Sequence, residues 1–112
     1  MTEAIEFSQI GGARLDIFNA TWPFARITIT KQMIELRCFS KKYALEKNRI
    51  IGVREYNGIL SKGLIIEHDR AEYPHHMVFW TFGFDKLRRH LESLGYSVGG
   101  PRKSDAWWRG GP

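Results

Sequence analysis

Four histidines and one cysteine are the residues of this chain best suited to metal binding or covalent chemistry. His68, His75 and His76 lie close together in sequence, with Asp69 beside the first. Neighbouring residues of a strand point to opposite faces, so His75 and His76 do not chelate one ion as a pair. A site would have to draw His68 or Asp69 from the preceding strand, since cross-strand neighbours lie ~5 Å apart. Zinc takes three or four protein ligands, and the lone thiol of Cys38 adds little to such a set. No metal and no cofactor is therefore expected. The three histidines read as strand-end residues, and His90 as a solvated position on a helix.

Covalent catalysis has as little support. Ser40, Ser61, Ser93, Ser97 and Ser104 lie outside any G-x-S-x-G elbow. By strand parity Cys38 faces inward, as a small buried hydrophobe rather than a nucleophile. The glycines form neither a Walker loop nor a dinucleotide loop. A non-enzymatic protein is expected.

The elements that would position these residues follow from periodicity. A length of 112 residues suits one domain, and 43% hydrophobic content is enough for one core. "ARITIT" alternates Ala25, Ile27 and Ile29 with Arg26, Thr28 and Thr30, the pattern of a half-buried strand. "MIELRCF" alternates in the same way, with Ile34, Leu36 and Cys38 inward and Glu35 and Arg37 outward. "KYALE", "IIGVREY", "GLIIEH" and "HHMVFWTF" extend the series, and Asn57-Gly58 marks a turn. "RLDIF" from Arg14 reads as the first strand, ended by a break over Asn19–Pro23. Within the last strand, His76, Val78, Trp80 and Phe82 share one face, and His75, Met77, Phe79 and Thr81 the other. Phe84, Leu87, Leu91 and Leu94 make one helical stripe, with Asp85 placed to cap it and Gly95 to end it.

Charge is uneven along the chain, with a net +5. Cations dominate residues 31–54, acids residues 55–85, and cations again the final segment. The basic zone reads first as a solvated strand face and second as an anion site formed by Lys41, Lys42, Lys47 and Arg49. Phe79, Trp80, Phe82 and Phe84 fall in the least basic stretch and read as core or helix–sheet contacts. Nucleic acid therefore ranks low as a partner, because stacking platforms need aromatics interleaved with cations. Glu3 and Glu6 sit where a leader peptide would carry cations, and no apolar run nears the ~20 residues that cross a bilayer. A soluble, cytoplasmic protein is expected.

Seven strands followed by one amphipathic helix is the element order of the pleckstrin-homology-like (PH-like) barrel. The segments "ARITITKQMIEL", "NRIIGVREYNG", "GLIIEH" and "HMVFWTFGFDKLRRHLESLG" resemble the small bacterial and GRAM-type members of that superfamily. The resemblance covers residues 14–96 and implies two roughly orthogonal antiparallel sheets closed by a helix at residues 84–95. Residues 1–13 would be an N-terminal segment and 97–112 a Gly/Pro/Trp tail. Eukaryotic PH domains carry a tryptophan in this helix; here the apolar positions are Phe84, Leu87, Leu91 and Leu94. The resemblance implies a binding module rather than a catalyst. It does not imply phosphoinositide binding, because "LDIFNATWPFARITI" and the Arg14 before it supply two arginines and no lysine.

Trp22 and Phe24 are expected to pack at the barrel rim, or else to insert into a partner. Trp107 and Trp108 in the tail are read as docking on the barrel or on a neighbouring subunit. These four are the candidate partner-binding residues. The function expected is a non-catalytic interaction module for a protein or a second copy of itself. Anionic lipid is the first alternative, and RNA or DNA the second.

Overall fold

The computed structural model describes residues 6–16, 18–57 and 62–100. Gly58, on which the expected turn signal partly rests, lies outside them, as do Trp107 and Trp108. The period-two segments form β1 (Phe7–Leu15), β2 (Phe18–Ile29), β3 (Met33–Cys38), β4 (Lys41–Glu46), β5 (Ile50–Asn57), β6 (Lys62–His68) and β7 (Met77–Thr81). One α-helix among the described residues, α1 (Phe84–Ser93), and a two-residue strand, β8 (Val98–Gly99), follow. The inward residues expected of β2 and β3 are buried, with Ile27, Ile29, Ile34, Leu36 and Cys38 all fully enclosed.

The strands form one eight-stranded sheet, ordered β4-β3-β2-β1-β7-β6-β5-β8 and strongly curled into a half-barrel. This corrects the expectation of two orthogonal sheets. The cause is β1, which pairs with β2 along its length and with β7 from Gly12 to Leu15, joining what would otherwise be two sheets. A register shift between Gly11 and Ala13 lies where β1 begins to serve both neighbours; such bulges bend a strand and increase its twist.

Four further expectations differ from the fold. β1 starts at Phe7, so residues 7–13 belong to the sheet and no boundary falls between 13 and 14. "RLDIF" is split by a turn at Asp16, whose φ of 55° ends β1, while Asn19–Pro23 stays inside β2. Val98 and Gly99 leave the expected tail and pair in parallel with Val53 and Arg54 as β8. The helix ends as expected, at Gly95 with φ 95°, but its N-cap is Gly83 rather than Asp85. Asp85 lies in the first turn instead, where its charge still opposes the helix dipole favourably.

A helix of this length is marginal alone, and burying one leucine stabilises by about 2 kcal/mol. Phe84, Leu87, Leu91 and Leu94 all enter the core, so packing rather than propensity holds α1 in place. Its polar anchors reach separate parts of the sheet. The His90 ring stacks on Phe7 at 4.0 Å, which corrects its reading as a solvated residue. Arg88 Nη1 donates to Glu55 Oε1 at 2.9 Å, and Lys47 Nζ donates to the Leu94 carbonyl at 3.3 Å. Just beyond the helix, the Tyr96 hydroxyl donates to the Thr30 carbonyl at 2.9 Å. The helix and its C-terminal turn are thus tied to β1, β5, the β2–β3 turn and the β4–β5 turn.

Two buried groups set an alkaline limit on stability. Burial pushes the Cys38 thiol from 9.0 up to about 11 and the Tyr96 phenol from 10.0 up to about 12. Folding therefore favours both protonated forms. Their contribution is complete below the ordinary values and is lost as pH rises through the folded ones. Urea midpoints should hold to about pH 9 and fall steadily above it. Cys38→Ala should remove the earlier part of that fall; a flat midpoint to about pH 11 would contradict the assignment.

Candidate functional site

The His68 ring and the backbone of His75 and His76 hold the β6–β7 connection in place. The Arg70 N–H donates to His68 Nδ1 at 3.0 Å, so His68 Nε2 carries the proton and donates to the Pro74 carbonyl at 2.8 Å. The Asp16 carboxylate accepts the backbone N–H groups of His75 and His76 at 3.1 and 2.9 Å, pinning the entry to β7 onto the β1–β2 turn. Among the described residues, no group of three or more His, Cys, Asp or Glu side chains could hold a metal ion. Cys38 is enclosed and its thiol is pushed toward the protonated form, the reverse of nucleophile activation.

The surface of β2 is more distinctive. Gly11 pairs with Ala25 and Ala13 with Ala20, so β2 carries extra residues opposite Gly12. Thr21, Trp22, Pro23 and Phe24 fill this bulge and are all exposed. Proline has no N–H to leave unpaired, so it is tolerated where the ladder is interrupted. Trp22 and Phe24 are 48% and 53% exposed, outside the core.

These two side chains organise the neighbouring aromatics. Phe24 stacks on Phe39 with centroids 5.3 Å apart, and Phe18 meets Phe39 edge-on at 6.0 Å. Trp22 meets Phe82 edge-on at 5.9 Å, and Phe82 meets Trp80 at the same separation. Phe82 is 65% exposed rather than a core contact. Trp80 lies on the outer face over Gly12, where a Cβ would fall 2.7 Å from its indole nitrogen. Phe79 and Phe84 are buried as expected.

Phe39 occupies the β3–β4 turn with φ 57°. A left-handed backbone costs a residue with a Cβ about 1–2 kcal/mol, and glycine or asparagine would suit the turn better. Phe39 stays exposed there while packing against Phe18 and Phe24.

Beside the aromatics runs a row of cations. Ile10 pairs with Arg26, Arg26 with Arg37, and Arg37 with Lys42, so three cations stand side by side across β2, β3 and β4. Like charges directly opposite one another destabilise a sheet. Among the described residues only Arg37 of this row has an acidic neighbour, Glu35 at 3.7 Å, and the arginine is too exposed for that pair to count for much. Arg26, Lys41, Lys42, Lys86 and Arg89 have no carboxylate within ion-pair distance among the described residues.

Several other cations are paired with carboxylates. Arg49 pairs with Asp69 at 2.6 Å, Arg54 with Glu67 at 3.8 Å, Arg70 with Glu72, and both Arg88 and Lys62 with Glu55. The Arg49 hydrogen bond holds the Asp69 carboxyl below its ordinary range, and Arg70 does the same for Glu72. The four residues proposed as one anion site therefore separate. Lys41 and Lys42 follow Phe39 on β4, whereas Lys47 is committed to Leu94 and Arg49 to Asp69.

Two shallow grooves of about 500 and 470 Å³ flank Phe82. Lys62, Lys86, Arg89 and the acidic Asp85 line the first, while Trp22, Ile10, Arg26 and Lys86 line the second. Strand parity alone turns Arg26 and Arg37 outward; the β2–β3 register is the signal that aligns them. Phe82 carries no such signal. No protein-family model and no curated protein sequence matches this chain.

Proposed function

We propose that this chain is a non-catalytic interaction module of the PH-like type, binding its partner through the outer face of β1–β4 and the adjoining start of α1. The fold part rests on the run of seven antiparallel strands from β1 to β7, closed by a helix that packs its apolar stripe into the core. The functional part rests on one observation. Of the large hydrophobic side chains left exposed, Ile10, Trp22, Phe24, Phe39 and Phe82 border the Arg26–Arg37–Lys42 row, and only Ile51 lies apart among the described residues.

Charge argues about the partner's chemistry. A second copy meeting this face through a two-fold axis would bring like charges together. The free edge strand β4 also carries Lys41 and Lys42, which discourage edge-to-edge pairing. An anionic partner of a different kind fits better than self-association. The test is retention of whatever macromolecule copurifies from cell extract. Trp22→Ala combined with Phe24→Ala should lose it without changing the fold, whereas equal retention would refute the reading.

A further inference from the structure

We propose that the partner of this face is single-stranded nucleic acid, an inference that rests on the binding surface just described. Its carriers are two adjacent rows on the curled sheet. The Arg26–Arg37–Lys42 row crosses three strands, so its cations are separated by the interstrand spacing of about 4.8 Å. The stacked Phe24–Phe39 pair borders it, about 7 Å further along the strands by the rise of two residues. Trp22 and Phe82 continue the aromatic side toward Lys86 and Arg89. A polyanionic backbone would follow the cationic row while its bases stack on exposed rings, which every base can do through its π-face.

Other occupants fit less well. The cores of protein interfaces are depleted of lysine, yet here Lys42 ends the cationic row and Lys86 lines both grooves. A bilayer wedge needs an apolar apex standing clear of the cations, and it does not enter the grooves beside Phe82. Phe24 and Phe39 lie two residues from Arg26 and Arg37 in the sequence, and the β2–β3–β4 register sets those cations in one row beside both rings, the interleaving that single-strand platforms need. Base edges have no dedicated polar readers among these residues, so binding should tolerate most sequences.

Fluorescence anisotropy of the full chain with a labelled oligothymidylate of about a dozen nucleotides tests this directly. The wild type should bind, with log affinity falling linearly against log salt. Arg26→Gln, Arg37→Gln and Lys42→Gln together should flatten that slope by about 2, at roughly 0.7 for each phosphate no longer neutralised. The melting temperature of this variant should stay level or rise, because a like-charge row is removed. Lys42→Arg should keep the wild-type slope.

Phe39→Gly should weaken binding about ten-fold while leaving the slope unchanged, since a stacking surface rather than a charge is removed. Glycine relieves the left-handed strain at that turn, so the variant should fold. No binding at low salt, an unchanged slope in the triple variant, or preference for duplex or for phosphatidylserine vesicles would overturn the proposal. If the oligonucleotide fails while Trp22→Ala with Phe24→Ala still sheds the cellular partner, the ligand assignment falls and the interaction surface stands. If that variant sheds nothing, both fall.

Discussion

Phe79→Ala is expected to lower the unfolding free energy by about 3–5 kcal/mol. The ring is fully enclosed near the middle of the sheet, on β7, which pairs with both β1 and β6. It occupies a notch left by Gly11, where a Cβ would stand 2.6 Å from the ring's Cζ. The wall opposite is glycine backbone, so no side chain there can relax into the space. Truncation therefore leaves a cavity, and its cost adds to the lost transfer energy of the ring. A single domain has only about 5–15 kcal/mol in hand, so this one change takes a large share of it. Urea unfolding measures the loss; a value below about 1 kcal/mol would mean that the ring is not a keystone of the core.

Gly11→Ala tests the same packing from the other side and is expected to cost about 3 kcal/mol. The new methyl would meet two obstacles of different kinds. One is the Phe79 ring, which has some freedom to turn. The other is the Trp80 carbonyl oxygen, which belongs to the backbone of a strand paired on both sides and has none. Residues that touch usually show coupled effects, and filling a cavity ordinarily offsets part of its cost. Here Phe79→Ala should fail to rescue Gly11→Ala, because the carbonyl clash survives. Full rescue in the double variant, read from the same urea curves, would show that the ring alone demands the glycine.

These glycines explain why β1 is hard to read in the sequence. "FSQIGGARL" shows no clear alternation, because Gly11 and Gly12 are selected by what lies over them, Phe79 on the inside and Trp80 on the outside. The turn at Asp16 lacks the usual glycine or proline. Asp16 is held there by backbone N–H groups some sixty residues away, beyond the reach of any local signal. Pro23 reads as a strand breaker, yet the bulge tolerates it. By contrast, β2, β3 and the helical stripe are legible, since their periodicity is imposed by a core that needs only one face.

The candidate site divides in the same way. Trp22, Phe24, Lys41 and Lys42 stand out by residue type. Arg26, Arg37 and Phe82 do not, since their meaning depends on cross-strand register and on which face of β7 stays open. Lys47 and Arg49 look equivalent to Lys41 and Lys42 in the sequence, but hydrogen bonds to Leu94 and Asp69 remove them. A charge pattern in sequence is not the charge pattern of a surface, because ion pairs cancel one part and register concentrates another.

Hydroxyl-radical footprinting of the chain, with its copurified partner bound and again after a high-salt wash, shows whether the exposed aromatics of this face form the interface. Trp22, Phe24, Phe39 and Phe82 should be protected in the bound state, with Ile51 equally reactive in both. Protection of Ile51 with no change at the four aromatics would contradict an interface on this face.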